Sequence, residues 1–200
     1  MRRLYWFQNN LRVQDNPGLL AQTDAEQLLL VYLWPKNRPW CNLTGMGAQR
    51  ERFLVESLQA LRDELADYGQ SLMILQGSAE LVIPELVRDY GIDRVDTSRT
   101  PGYYERRSLE VLRERLPVPV EVHRGDTLFD ETDLPFALED LPGQFTPFRK
   151  RIADLAFTAA SPRPDALPPP PAARFDRLPP SDATPSAALP IRGGSGAGHR

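Results

Sequence analysis

The stretch QLLLVYLW, residues 27–34, carries seven apolar or aromatic residues in a row after its first glutamine. Successive side chains of a strand point to opposite faces of its sheet, so a strand with only one buried face alternates apolar and polar residues. A strand that is covered on both faces is apolar throughout, as is typical of parallel sheets. Residues 27–34 are therefore predicted to be a strand with helices packed above and below it.

Four further stretches are predicted to be strands of the same sheet: LYWF (4–7), SLMILQG (71–77), RVDTS (94–98) and VPVEVHRG (118–125). Helical patterns lie between them. In residues 46–69, large side chains recur at spacings of three and four, which form one helix face; they are Leu54, Leu58, Leu61, Leu65 and Tyr68. Alternating strands and helices predict an α/β, Rossmann-like, doubly wound five-stranded parallel sheet with helices on both faces. Its ligand crevice should lie outside the carboxyl ends of the strands, near the switch point.

Local signals place the ends of several helices. Asn16 and Pro17 are typical of an N-cap and a first helical residue. Ser78 precedes another helix, in which Pro84 should require either a kink or a late start. A further helix begins near Gly102 and should end at Pro117, because the residue before a proline disfavours helical geometry.

Proline divides the chain into two parts. Ten of its twenty prolines lie in residues 161–200, where large apolar residues are few. Such a segment cannot bury enough surface to offset the entropy lost on ordering. We therefore predict a folded domain over residues 1–155 and a Pro-rich disordered linker over residues 156–200.

The charge balance and the cysteine content exclude several classes of protein. The net charge is −3, and residues 161–200 contribute five arginines against three aspartates, so residues 1–160 carry −5. A body of this charge should not bind nucleic acid directly. The single cysteine, Cys41, allows no internal disulfide and fits a reducing cytoplasm. MRRLYWF lacks a signal-peptide run and no 18-residue apolar span occurs, so we expect a cytoplasmic protein without membrane contact.

The residues alone do not assemble a catalytic centre. No G-x-x-x-x-G-K-[ST] or G-x-G-x-x-G motif follows the first strand, where FQNNLRVQDNPG (7–18) stands instead. His123 is predicted to be a histidine at the sheet edge or surface, and His199 is far from it in sequence. Glu105 in YYERR starts a helix after the fourth strand, where an acid either complements the helix dipole or serves a site. On this evidence the chain is an α/β module whose ligand is open.

Three motifs carry a resemblance to a known family. LYWFQNNLRVQDNPGLL (4–20) resembles the opening of the photolyase and cryptochrome family. LPFALEDLPGQFTPFRKRI (134–152) is similar to the segment that closes the N-terminal domain in the cryptochrome DASH branch. LPIRGG (189–194) is similar to the point where that branch enters its helical flavin domain. The chain thus resembles a DASH-like N-terminal antenna domain, and the segment 134–152 would lead from it toward a second domain.

This resemblance implies a pigment and a partner. Antenna domains of the family hold a pterin, 5,10-methenyltetrahydrofolate, or a deazaflavin. FAD, the electron-transfer tryptophans and the surface that receives a pyrimidine dimer belong to a C-terminal helical domain, which would begin where this chain ends. The implied whole protein is a deoxyribodipyrimidine photolyase or a blue-light receptor. This chain alone is expected to be inactive and to need that domain, on the same or another chain.

The resemblance also implies site residues. A glutamate in the helix after the fourth strand contacts the pterin ring in family members, and Glu105 matches it. Tyr104 stands where some members have asparagine, and its ring could stack on the pterin. Where the family usually has Arg-x-Asp-Leu-Arg, this chain has Gln8-Asn9-Asn10-Leu11-Arg12. Two neutral amides in place of an ion pair can keep the hydrogen bonds without leaving one buried charge alone.

Three interpretations stay open. The first is an antenna domain of a DASH-like protein, as a truncated product or one piece of a split protein. It predicts an exposed apolar face that includes Phe136, Phe145 and Phe148. The second is a stand-alone α/β interaction module without light chemistry, which should lack such a face. The third is a small nucleotide-binding enzyme, which the missing phosphate loop disfavours.

Overall fold

The structure is a computed structural model that describes residues 1–35, 45–129, 131–156, 159–172 and 192–195. The predictions about Cys41, about His199 and about the first three residues of LPIRGG lie outside these residues.

The five predicted strands form one parallel sheet in the order β3-β2-β1-β4-β5. Their bounds are β1 (Arg2–Phe7), β2 (Gln27–Trp34), β3 (Leu72–Gln76), β4 (Arg94–Ser98) and β5 (Val120–His123). The chain builds the sheet outward from β1 to β3, then crosses to the other side of β1 and continues to β5. This is the doubly wound order, so the predicted fold class is confirmed.

Within the described ranges, five α-helices accompany the sheet: α1 (Pro17–Leu20), α2 (Ala48–Ala66), α3 (Ala79–Tyr90), α4 (Tyr103–Arg115) and α5 (Phe145–Ile152). Two short 3-10 turns, Glu131–Asp133 and Leu138–Asp140, precede α5. Helices α1 and α2 contribute side chains to the core on one face of the sheet, whereas α3 and α4 contribute to the core on the other face. No helix in the described ranges has both the length and the apolar character needed to cross a bilayer.

Strand β2 shows why the sheet is covered on both faces. Leu28 and Leu30 belong to the core beneath α2, whereas Leu29 and Val31 belong to the core beneath α3 and α4, and all four are fully buried. Burying both sets of side chains removes the whole strand from water, which is the main source of stabilisation for a sheet of this kind.

The turn after β1 follows the sequence signals. Asn16 is the N-cap of α1, where its Oδ1 accepts a hydrogen bond from the Leu19 N–H at 3.1 Å, and Pro17 is the first helical residue. Asp15 has a positive φ of 53°, and Arg12 donates to its carbonyl at 3.0 Å. Arg12, Asp15 and Asn16 therefore serve turn and cap geometry.

Pro84 lies inside helix α3. The helix begins at Ala79, so the late start that was considered for Pro84 is wrong. The Leu81 and Val82 N–H groups donate to the Ser78 carbonyl and close the first turn ahead of the proline. The helix ends at Tyr90, and its C-cap residue Gly91 adopts the left-handed conformation that glycine tolerates.

The start of the Pro-rich segment packs against the domain, which differs from the prediction of a linker from residue 156 onward. The Asp15 N–H donates to the Ser161 carbonyl at 3.1 Å, and the Ser161 N–H donates to the Asp15 carboxylate at 3.0 Å. The Pro169 carbonyl accepts from the Leu28 N–H at 3.0 Å. Leu167 is buried in the core beneath α2. The segment packs here because its proline carbonyls are hydrogen-bond acceptors, whereas proline has no N–H group to donate. The Leu28 N–H and the Gln70 side-chain amide supply the donors at the amino end of the sheet. Residues 173–191 lie outside the described ranges.

A second anchor lies on α2. The Gly193 N–H donates to the Glu56 carboxylate at 2.7 Å, and the Gly194 N–H donates to the Ser57 hydroxyl at 3.2 Å. A Cβ at residue 193 would lie 2.1 Å from the Phe53 carbonyl oxygen, so only glycine can approach the helix this closely. We call residues 193–195 the glycine clip.

Leu167→Ala tests the packing of the Pro-rich segment. The substitution should lower the free energy of unfolding by about 2 kcal/mol, because it removes buried methyl groups from the core beneath α2. Urea unfolding measures the change, and Leu81→Ala is the control because Leu81 is 61% exposed. Equal, near-zero effects of the two substitutions would show that residues 161–171 are not part of the folded domain.

Candidate functional site

The carboxyl edge of the sheet is bridged at its switch point by Gln8. Strand β1 ends at Phe7 and the adjacent strand β4 ends at Ser98, and the chain turns in opposite directions beyond them. The Gln8 side-chain amide donates to the Thr97 hydroxyl at 2.9 Å and to the Ser98 carbonyl at 3.3 Å. The crevice predicted near the switch point therefore has Gln8 at its floor.

Two crevices open at this edge, one on each side of the start of α4. The α4–β5 crevice has a volume of about 480 Å³, and its walls are α4, the end of β5 and the following segment up to Leu138. The α3–α4 crevice has a volume of about 300 Å³ and lies over the ends of β1 and β2, between the first turns of α3 and α4. Gln8 and Glu105 line both crevices.

Glu105 lies in the first turn of α4 and is solvent-exposed. Its carboxylate folds back toward Gly102, where a Cβ would lie 2.0 Å from Oε2, so a side chain at residue 102 would displace the carboxylate from this position. No side chain caps α4, and Glu105 is the acid of its first turn. The carboxylate therefore complements the helix dipole and at the same time faces both crevices.

Tyr104 is the second predicted site residue, and it lines the α3–α4 crevice next to Glu105. Its ring meets that of Tyr103 edge-on, with 5.5 Å between the ring centroids. Both tyrosines are more than 60% exposed, but Tyr103 lines neither crevice. The structure thus brings Tyr104 and Glu105 to one site and leaves Tyr103 outside it.

Tyr32 is a lining residue that the sequence reasoning missed. It is only 5% exposed and lines the α3–α4 crevice at the carboxyl end of β2. Burial raises the pKa of Tyr32 to about 12, so the phenol stays neutral near pH 7. No hydrogen bond of its hydroxyl is found among the described residues. The available signal was a tyrosine near the end of an otherwise aliphatic strand.

A buried polar cluster supports the crevice floor. The Asn10 amide donates to the Ser98 hydroxyl at 2.7 Å and to the Tyr5 hydroxyl at 3.2 Å, and the two hydroxyls lie 2.8 Å apart. Burial raises the pKa of Tyr5, so this cluster carries no charge. Gln8 and Asn10 each bond to β4, so these two amides form the hydrogen bonds that were expected of them.

His123 lies on the edge strand β5, as predicted, but it has a partner. Its Nε2 lies 2.7 Å from the Oδ1 of Asp96, and the Arg94 Nε donates to the other carboxylate oxygen at 2.8 Å. Asp96 is fully buried. Burial raises the pKa of Asp96, but the hydrogen bonds from His123 and Arg94 outweigh it and hold the pKa below its ordinary value. The pair joins β5 to β4 through their side chains.

Comparison with known proteins assigns the family. A family model described as DNA photolyase matches residues 3–171. The chain belongs to the DNA photolyase family. Cryptochrome DASH from Idiomarina loihiensis is 37% identical over 158 residues, which cover 76% of this chain and 35% of that protein. Cryptochrome DASH from Gloeobacter violaceus is 34% identical, covering 88% of this chain and 37% of that protein. The chain thus spans about a third of these relatives.

Solved structures agree with this assignment. The cryptochrome of Synechocystis sp. PCC6803 superposes with a TM-score of 0.87 at 26% identity, over 98% of this chain and 44% of that one. A class III photolyase from Agrobacterium tumefaciens gives a TM-score of 0.73 at 24% identity, over 88% of this chain and 36% of that one, which supports the fold. The predicted resemblance to a DASH-like N-terminal α/β domain is confirmed.

Asp96→Asn tests the joint between β4 and β5. The pKa of Asp96 is depressed on folding, so its stabilisation is complete above the unfolded pKa of about 4 and is lost as the pH falls through the lower folded pKa. We expect Asp96→Asn to cost about 2 kcal/mol at pH 7 and progressively less below pH 4, because the amide carries no charge and keeps only one of the two acceptor oxygens that Arg94 and His123 share.

Urea unfolding at several pH values measures this difference. Asp89→Asn is the control, because the Arg88–Asp89 pair is exposed. A penalty for Asp96→Asn that did not shrink with acid would contradict the ionic role of Asp96.

Proposed function

We propose that this chain binds an antenna chromophore for a DASH-like DNA photolyase or cryptochrome. The observation that carries the proposal is the position of Glu105, whose exposed carboxylate lies at the carboxyl edge of the sheet and lines both crevices. A pigment held at this edge would lie outside the strand ends, where open α/β sheets bind their ligands.

A pterin, 5,10-methenyltetrahydrofolate, is the first candidate pigment. An ionised carboxylate is an acceptor-only group, so Glu105 can take hydrogen bonds from amino and N–H donors on the ring. Tyr104 offers an exposed aromatic face beside that carboxylate. Glu105 would thus contact one edge of the planar ring and Tyr104 one of its faces, so the two residues form part of a binding site.

A deazaflavin is the second candidate, and the α3–α4 crevice favours it. Trp6, Phe7, Trp34 and Tyr104 contribute aromatic lining, which suits a planar tricyclic ring. Tyr32 lines the same crevice, and its neutral phenol can act as a hydrogen-bond donor to a ring heteroatom.

The light chemistry of the whole protein would depend on a FAD-binding helical domain. The chain spans about a third of its curated relatives, so we assign FAD and dimer-splitting lyase activity to that domain and expect neither from this chain alone. The residues 1–160 carry a net charge of −5, which disfavours direct contact with DNA. The single cysteine fits a protein of the cytoplasm.

The segment before and within α5 supports such a partner. Phe145 is 72% exposed, and Leu138 and Leu141 are about half exposed. Phe136 and Phe148 instead meet each other edge-on, with 6.3 Å between centroids, and are partly buried. We propose that the helical domain covers Phe145, Leu138 and Leu141. The competing stand-alone module would leave these side chains in water without a role.

Glu105→Gln tests the pterin site. Loss of the charge should weaken binding of 5,10-methenyltetrahydrofolate about tenfold, since a charge-assisted hydrogen bond becomes a neutral one. A titration followed by ligand fluorescence measures the affinity. Glu114→Gln, in the last turn of the same helix and outside both crevices, is the control. Unchanged affinity in Glu105→Gln would remove the pterin assignment, and deazaflavin binding in its place would favour the α3–α4 crevice.

The combined substitution Phe145→Ser and Leu141→Ser tests the docking face. The unmodified chain should self-associate at high concentration, and the variant should do so less, because apolar area leaves the surface. Sedimentation equilibrium reports the association constant. Leu81→Ser removes a side chain of similar exposure from α3 and should change nothing. A chain that stays monomeric throughout would favour the stand-alone module.

A further inference from the structure

We propose that the α4–β5 crevice holds the p-aminobenzoyl-glutamate tail of a reduced folate, with Arg113 binding a tail carboxylate. The inference rests on the proposed pterin site and extends it: it names the part of the ligand that lies beyond the ring and the residue that selects a folate over a bare pterin.

The spacing along α4 carries the inference. Glu105, Leu109 and Arg113 are four residues apart, so they follow one another along the same face of the helix. All three line the α4–β5 crevice. Eight residues of α-helix rise about 12 Å, so the crevice wall presents an acid, then an apolar side chain, then a base over roughly that length.

A folate has the complementary order of groups. Its pterin ring presents N–H donors, which suit the carboxylate of Glu105. Its benzoyl ring is apolar and planar, which suits Leu109. Its glutamate ends in carboxylates, which suit the guanidinium of Arg113 because a guanidinium presents paired donors to a carboxylate. A bare pterin would reach only the first of these three groups.

The opposite wall of the crevice fits the middle of the tail. Val122, Phe129 and Leu134 face the helix across the crevice and supply apolar lining. Its volume of about 480 Å³ lies within the range of small-molecule sites. An aromatic ring between Leu109 and these side chains would bury apolar surface on both of its faces.

The remaining charges of the crevice define how selective Arg113 can be. Arg106 lines the crevice next to Glu105, about two turns before Arg113, and Arg99 is already paired with Glu131 at 3.1 Å. Arg113 makes no ion pair with any described residue, so its guanidinium is available to a ligand. Glu110 also lines the crevice, one turn before Arg113, and its carboxylate opposes an anionic tail there. Replacing Glu110 should therefore strengthen tail binding.

The test compares two ligands on the full chain: 5,10-methenyltetrahydrofolate and 6-methyltetrahydropterin, which has no tail. Saturation-transfer NMR detects both even where binding is weak. Arg113→Gln should weaken the folate about fivefold to tenfold and leave the tail-less pterin unchanged. Glu110→Gln should tighten the folate by a smaller factor. Arg115→Gln is the matched control, because Arg115 is basic, lies in the same last turn of α4 and is outside the crevice.

The outcomes separate this inference from the function on which it rests. If both ligands bind equally well and Arg113→Gln affects neither, the tail assignment is wrong while the pterin site stands. An equal loss for both ligands in Arg113→Gln would also overturn it, since that pattern indicates a general effect on α4. If neither ligand binds the unmodified chain, the proposed function fails, and the tail assignment fails with it.

Discussion

The burial of both faces of β1 and β2 is the constraint on which the rest of the structure depends. A strand with two apolar faces is stable only if helices cover it on both sides, and parallel pairing then requires each connection to cross from one end of the sheet to the other. The helices after β3 and β4 accordingly pack on the same face, and α3 and α4 contact each other there.

This connectivity, more than any single side chain, creates the site. Each helix on that face starts where a strand has just ended, so the first turns of α3 and α4 converge at the carboxyl edge. The Glu80 carboxylate on α3 accepts a hydrogen bond from the Ser108 hydroxyl on α4, which couples the two helices beside the crevice that separates their first turns. Glu105 needs no unusual environment to line both crevices, because its place in the first turn of α4 is sufficient.

Local patterns predicted the features that depend on neighbours in sequence. Apolar runs predicted the strands, and the pair Asn16-Pro17 predicted the start of α1. The features that were not predicted depend on register or on distant packing. Asp96 meets His123 only because β4 and β5 pair in a particular register. Leu167 lies in a proline-rich segment, and the composition of that segment indicates a linker. In the structure, a carbonyl of the same segment accepts a hydrogen bond at the amino end of the sheet. Tyr32 resembles any core residue in the sequence, and only the fold shows that it lines the α3–α4 crevice at the carboxyl end of β2.

The two anchors of the C-terminal segment have a topological consequence. Pro169 is tied to β2 and the glycine clip is tied to α2, so two points that are far apart in sequence are fixed on the same domain. The entropy lost by fixing both ends of a chain segment grows only with the logarithm of its length, and doubling the length costs about 0.6 kcal/mol. The number of residues between the two anchors should therefore be easy to change, whereas the position of the second anchor is fixed by the close approach of two glycines to α2.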